Sequence, residues 1–323
     1  MCSEMPRPEI TCISHGEDAD GLTCAAFIRR LMGSDTILVT YDDFEKALKQ
    51  ITGTLKELYI CDINIREDLV DEVLRIREFA EVMIIDHHPW PPGLEEKLMG
   101  ADVRVVHDLR ECASVLLYNH FREELGREAG RLAAYAAWAD QFEDGPMASK
   151  LLNEYDRQFV QHEALILAHA ILNKQTPEFR SVVVEELSKL AYPHRIPGLV
   201  EASLDLLEEA THLIQEIPDK ANKSGNFAFM TTPNEKPIGT VANLLLDALG
   251  VDVGLCYKRG DGEMASVSIR SRRGLSFHLG EITRSVASRH GGFGGGHKRA
   301  SGASLPWLNL HDFIEDMGKE VLE

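Results

Sequence analysis

The residues best suited to chemistry form an imidazole and carboxylate set. They are His15, Asp18 and Asp20, then Asp62, then His87 flanked by Asp86 and His88, and finally Asp140. Hard oxygen ligands with some imidazole suit Mn²⁺, Mg²⁺ or a related divalent ion, and no cysteine in the set favours a zinc–thiolate site. His15, Asp18, Asp20, Asp62, His87 and Asp140 are too many for one catalytic ion that keeps water positions open. They suit two ions sharing a bridging carboxylate, which can lower the pKa of a water and clamp both oxygens of an in-line displacement at phosphorus.

A second group lies near the C-terminus. Gly291, Gly292, Phe293, Gly294, Gly295 and Gly296 run into His297, Lys298 and Arg299. The expectation is a glycine-rich loop whose backbone N–H groups approach an anion closely. Arg270, at the end of an apolar run, is the better upstream guanidinium for a phosphate. Arg272 and Arg273 read as a solvated turn.

The elements that must position these groups are legible from pattern. Glu9 to Ser14 is a short apolar run that ends in the polar segment His15 to Gly21, and Leu22 to Met32 has apolar residues at helical spacing. Strands are expected over Thr36–Thr40, Glu57–Cys61, Val82–Ile85 and Val103–Val106, with helices over Asp43–Gln50 and Arg66–Phe79. Alternating strands and helices imply a mainly parallel sheet. In such sheets, ligands bind outside the carboxyl ends of the strands. The clusters at 15–20, 62 and 86–88 all fall at that end, with Pro89 stopping the strand that carries Asp86. Helices are expected over Cys112–Phe121 and Gly130–Trp138. Asp140, just past a small apolar stretch, needs a partner or a helix-capping role.

A long helix follows at Leu199–Ile217, and the polar segment Asp219–Gly225 reads as a domain boundary. An α/β pattern then restarts. Strands are expected over Asn226–Thr231, Val251–Lys258 and Ala265–Arg270. The last two are joined by the turn Arg259-Gly260-Asp261-Gly262, and helices fall over Gly239–Leu249 and within Leu275–Ser288. The fold class is therefore α/β. A mainly parallel sheet flanked by helices occupies 1–195, a linker helix 196–222, and a smaller α/β domain 223–323.

Length and composition agree with this. A chain of 323 residues has room for two ordinary domains. No run of about 18 apolar residues is present, so no membrane span is expected. The segment Met1 to Pro6 carries no basic region or apolar run, so no signal peptide is expected. Six cysteines without a Cys-x-x-Cys pair read as reduced residues of a cytoplasmic protein. The net charge of −18 argues against a protein that coats long nucleic acids. Charge is uneven, however: Lys223 to Pro306 holds eleven Lys and Arg against six Asp and Glu, a balance of +5, which leaves −23 for the remainder.

Taken together, these motifs resemble the DHH phosphoesterase superfamily. His15-Gly16-Glu17-Asp18-Ala19-Asp20-Gly21 is similar to its first motif, Asp62 to its second, Asp86-His87-His88 to its third and Asp140 to its fourth. Ser268-Ile269-Arg270-Ser271 and Gly294-Gly295-Gly296-His297 resemble the associated C-terminal DHHA1 domain. The resemblance implies that His15 and Asp18 hold one metal, that Asp20, His87 and Asp140 hold the other, and that Asp62 bridges. It gives His88 to the scissile phosphate and Asp86 to the support of a histidine. Arg270, Gly294, Gly295, Gly296 and His297 would bind substrate in a cleft between the lobes.

The implied cofactors are two divalent ions, Mn²⁺ first. The implied activity is hydrolysis of short oligonucleotides or dinucleotides to mononucleotides by a hydroxide activated between the ions. Adenosine 3′,5′-bisphosphate phosphatase and cyclic dinucleotide phosphodiesterase are the alternatives. A single-strand DNA exonuclease and a non-catalytic nucleotide sensor rank lower, because the added nucleic-acid domain usual in the first is not visible and no metal residue is missing. Homodimerisation is left open.

Overall fold

The computed structural model describes residues 9–174, 176–233, 236–260 and 262–322. The chain forms two compact units, with the division falling between Leu206 and Leu207. In the first, β1 (Ile10–His15), α1 (Ala19–Met32), β2 (Asp35–Val39), α2 (Phe44–Gln50), β3 (Glu57–Cys61), α3 (Val70–Arg77), β4 (Glu81–Asp86), α4 (Leu94–Gly100) and β5 (Arg104–His107) alternate. Six helices follow: α5 (Ala113–His120), α6 (Arg122–Leu125), α7 (Arg127–Ala139), α8 (Ala148–Leu152), α9 (Arg157–Asn173) and α10 (Pro177–Ser188).

The five strands form one parallel sheet in the order β2-β1-β3-β4-β5. Successive side chains alternate between faces, and both faces are covered. Cys12, Tyr59, Cys61, Met83 and Ile85 pack with residues of α1, α5, α7, α9 and α10. Ile13, Leu58, Ile60, Val82 and Ile84 pack with residues of α2, α3 and α4. The register sets the carboxyl ends flush: His15 lies opposite Val39, Ser14 opposite Cys61, Cys61 opposite Ile85, and Asp86 opposite His107. The polar residues that follow each strand therefore open on one edge.

Helix α11 (Leu199–Lys220) contains the division between units, and β6 (Asn222–Ser224) follows it directly. The polar segment expected as a boundary is thus a helix end, a short strand and a turn at Gly225. The second unit continues with β7 (Phe227–Thr231), α12 (Ile238–Leu249), β8 (Val253–Arg259), β9 (Met264–Ser271), α13 (Leu279–Arg289), β10 (Phe293–Gly296), β11 (Ala300–Pro306) and α14 (Leu310–Leu322). Asp261, in the expected turn, lies outside the described residues. The sheet order is β10-β11-β9-β8-β7-β6, with β7 and β8 its parallel pair. One face packs against α12 and the other against α13 and α14. Among the described residues, no helix is long and apolar enough to cross a membrane.

The glycine run is a correction to the expected loop. Phe293–Gly296 is an edge strand whose residues pair antiparallel with Ser304 to Ser301 of β11. The absence of side chains lets α13 start close against it: a Cβ at Gly280 would lie 2.1 Å from the Gly296 carbonyl oxygen. Gly280→Ala should therefore destabilise the protein by about 1–3 kcal/mol, the usual cost of overpacking. Gly100→Ala, in α4 with open space around its Cβ, should be neutral or stabilise by about 0.5–1 kcal/mol. Urea or thermal unfolding of the two variants measures the contrast.

Candidate metal centre

The centre is assembled from strand ends and one helix end of the first unit. His15 is the last residue of β1. The chain then turns at once, because Asp18 caps α1 by accepting from the Gly21 backbone N–H at 2.9 Å. Gly21 has no room for a side chain, since a Cβ there would meet the His15 carbonyl oxygen at 2.2 Å. This close approach fixes His15 Nδ1 2.8 Å from an Asp18 oxygen. Asp62 follows β3 in the left-handed region (φ 53°), with its N–H donating to the Ile85 carbonyl. A buried non-glycine residue held there stores backbone strain of the kind that gathers at functional sites.

His87 Nε2 lies 3.1 Å from one Asp62 oxygen and 3.7 Å from an Asp140 oxygen, and His15 Nδ1 lies 3.7 Å from the other Asp62 oxygen. Three trios could each hold an ion, with ligand atoms within 4.8 Å of one another: His15, Asp18 and Asp62; Asp20, His87 and Asp140; and Asp62, His87 and His88. The structure thus brings all six sequence-designated ligands together in the first unit. Asp20 also ties the chain together, since its two oxygens accept from the first amides of α5, Ala113 at 2.7 Å and Ser114 at 2.9 Å.

The donor set fits divalent cations. His15 Nε2, Asp62 Oδ2, His87 Nδ1 and Asp140 Oδ2 are buried without hydrogen-bond partners, and such orphans are costly. Burial first, and then the charges of Asp18 and Asp20, raise the Asp62 carboxyl well above the usual range. Asp140 is raised in the same way, by burial and then by Asp20, Asp18 and Asp62. Burial opposes a charged His15, but the hydrogen bond to Asp18 and the close Asp62 carboxylate outweigh it and bring the imidazole to about 11. Burial likewise opposes the Asp18 carboxylate, and His15 outweighs it to bring Asp18 to about 2.

Asp86 stands apart. It is fully buried and accepts from His88 Nδ1 and from Trp90 Nε1, each at 2.7 Å. These bonds outweigh burial and lower its carboxyl. Trp90 stacks on His107 at 4.2 Å, and His107 Nε2 lies 2.7 Å from the His88 carbonyl oxygen. Three neighbours escaped the sequence reading. Tyr41 places its hydroxyl 2.9 Å from His88 Nε2, and Phe142 meets His87 edge-on at 4.8 Å. Glu17 lies between His15 Nε2, at 3.6 Å, and Arg180, at 3.8 Å. A signal existed for Tyr41, which follows the carboxyl end of β2. Trp90 and His107 gave none.

The substrate-binding candidates lie in the second unit. Arg270, on β9, donates to Ser268 Oγ at 2.8 Å and to the Ile269 carbonyl at 3.0 Å, and burial lowers its pKa. It is paired with Ala300, whose carbonyl accepts from the His297 N–H at 2.8 Å. Gly294 to Gly296 precede that turn, so these candidates share one end of the sheet.

Residues 224–323 match the DHHA1 domain family. No curated protein matches the chain by sequence. Among solved structures, the chain is similar to a DHH-domain protein described as a member of a family of ribosomal proteins (16% identity, 98% of this chain and 87% of that one, TM-score 0.69). It is also similar to a pGpG-specific phosphodiesterase from Vibrio cholerae (12%, 96% and 99%, 0.56). A third is RecJ from Thermus thermophilus, solved with Mn²⁺ (21%, 98% and 52%, 0.61), of which the chain spans about half the length.

Fold and site define a two-unit α/β protein with a carboxylate–imidazole centre at the carboxyl edge of a parallel sheet. The chain has the fold of the DHH superfamily and carries a C-terminal DHHA1 domain.

Asn tolerates the left-handed conformation of residue 62 and removes one of the crowded charges. Asp62→Asn should therefore unfold at a higher temperature than the wild type in chelator. Millimolar MnCl₂ should raise the melting temperature of the wild type and leave that of Asp62→Asn nearly unchanged, because only a ligand bound to the native state stabilises it. Differential scanning fluorimetry reads both. Equal Mn²⁺-induced shifts in the two proteins would show that Asp62 is not a ligand.

Proposed function

We propose that this protein is a metal-dependent phosphodiesterase that hydrolyses short oligonucleotides or dinucleotides to mononucleotides. The observation that carries the reading is the set of buried, unpartnered donor atoms of His15, Asp62, His87 and Asp140. His15 and Asp18 would hold one divalent ion, Asp20, His87 and Asp140 a second, and Asp62 would serve both. Bound divalent cations supply Lewis acidity to phosphoryl oxygens and make water a nucleophile near neutral pH.

The chain's own residues do the rest. Asp62 is held in place by its strained backbone and by the hydrogen bond its N–H donates to the Ile85 carbonyl, so the charge it offers does not move away from its like-charged neighbours. His88 is aligned by Asp86 at Nδ1, and the other ring nitrogen is Nε2, which lies 2.9 Å from the Tyr41 hydroxyl. That nitrogen would hydrogen-bond the phosphoryl oxygens as charge develops on them. Arg270, His297 and Gly294 to Gly296 would bind a further phosphate or a base. Mn²⁺ is the proposed cation; RecJ from Thermus thermophilus is solved with Mn²⁺ and also with Mg²⁺, which supports a divalent ion of this kind. The dinucleotide reading is supported by the pGpG-specific relative, whose length this chain matches. It is also supported by the net charge of −18, which disfavours long strands.

The test is turnover with Mn²⁺ of four labelled substrates: a linear dinucleotide, a cyclic dinucleotide, a long single strand and adenosine 3′,5′-bisphosphate. The linear dinucleotide should be consumed fastest, and chelator should stop the reaction. His88→Ala should lower kcat by roughly 10²- to 10³-fold, the cost of losing one oxyanion donor, and keep the Mn²⁺-induced thermal shift. Failure to turn over any of the four would sink the proposal. Preference for another of the four would reassign the substrate.

A further inference from the structure

Tyr41 follows β2, a strand whose end supplies no ligand. The turn that carries it is well tied. Thr40 Oγ1 lies 3.2 Å from an Asp43 oxygen, the Phe44 N–H donates to the Thr40 carbonyl at 3.1 Å, and the Gly16 N–H donates to the Val39 carbonyl at 2.9 Å. From this turn the Tyr41 hydroxyl reaches to 2.9 Å from His88 Nε2. The two rings are perpendicular, with centroids 6.0 Å apart, and the Tyr41 ring lies 5.2 Å from that of His15.

His88 is thereby held at both ring nitrogens, by Asp86 on one side and Tyr41 on the other. Its carbonyl is held by His107. An imidazole gripped at Nδ1 alone can still swing about that bond, and a second partner at Nε2 fixes the ring plane. Such positioning matters because a catalytic group displaced by an ångström loses much of its effect. Tyr41 is 43% exposed, so it contributes little to the core; its place is set by the tilted ring contact with His15 and by the hydroxyl bond to His88.

We propose that Tyr41 is a positioning residue of the phosphodiesterase site: its hydroxyl fixes the ring plane of His88 and keeps Nε2 directed at the place of the reacting phosphate. This deepens the reading given above and rests on it. When substrate arrives, a phosphoryl oxygen shares the Nε2–H with the Tyr41 hydroxyl oxygen in a three-centre bond, so the ring stays oriented.

The test is Tyr41→Phe, which keeps the ring and removes only the hydroxyl. Loss of one such hydrogen bond should lower kcat about tenfold. KM should stay within about twofold, and the melting temperature and its Mn²⁺-induced rise should be those of the wild type. In metal-free, ¹⁵N-histidine-labelled protein, the Nε2 signal of His88, assigned by its loss in His88→Gln, should move in Tyr41→Phe. A Tyr41→Phe enzyme with wild-type kcat overturns the proposal, as does a Tyr41→Ala enzyme impaired while Tyr41→Phe is not. If the wild type cleaves no phosphodiester, it is the phosphodiesterase reading that fails. The His88 signal then decides the positioning role alone: a shift supports it and an unchanged signal overturns it.

Discussion

The structure depends on a collection of carboxylates where a parallel sheet ends. Asp18, Asp20, Asp62 and Asp140 crowd one edge, and burial together with mutual repulsion raises the carboxyls of Asp62 and Asp140. Such an arrangement opposes folding unless something compensates for it. Part of the compensation is internal: His15 carries charge between Asp18 and Asp62. The remaining orphaned atoms of His15, Asp62, His87 and Asp140 have no such internal partner. The backbone takes its share of strain in the same place, with Asp62 at φ 53° and Gln141, directly after Asp140, at φ 63°. Stability is given up locally, and the two cores packed on either face of the sheet sustain it.

Several residues at this edge shape the chain and arm the site at once. Asp18 caps α1 while it faces His15. Asp20 gathers the first amides of α5, where the helix end favours negative charge, while it sits within ligand distance of His87 and Asp140. The sheet and the helical part of the first unit are therefore joined through a ligand, so the position of α5 and the geometry of the centre are not independent. Gly21 meets the same demand for space: without it α1 cannot start close enough to β1 for His15 and Asp18 to meet.

The cluster of carboxylates and imidazoles was legible because strand runs such as Glu57–Cys61 and Val82–Ile85 are short, apolar and end abruptly in charge. Once alternation implies a parallel sheet, those ends must share an edge. The supporting groups were not legible in the same way. Trp90 and His107 act by stacking on each other across residues far apart in sequence, and no spacing announces that contact. The glycine run misled for the opposite reason. Residues without side chains carry no periodicity, so Phe293–Gly296 reads as a loop, and only the pairing with β11 and the close start of α13 make it a strand. The segment Asp219–Gly225 reads as a linker by its polarity, yet a helix end and an exposed edge strand can be just as polar.

The two histidines of Asp86-His87-His88 illustrate how a strand end divides labour. The two rings stay close, with centroids 4.5 Å apart, but they take different polar partners. His87 turns to Asp62 and Asp140, with Phe142 packed edge-on against its ring, and so enters the ligand set. His88 bonds Asp86 and Tyr41, while its ring still lies within reach of Asp62 and His87. In the function proposed above, one residue of chain thus separates a group assigned to cations from a group assigned to phosphate. The rigidity that keeps them apart comes from Asp86, Trp90 and His107 behind the strand end, none of which joins the ligand trios. A change in that backing bears first on His88, which bonds Asp86 directly, and only through it on His87, so the two proposed roles are separable in principle.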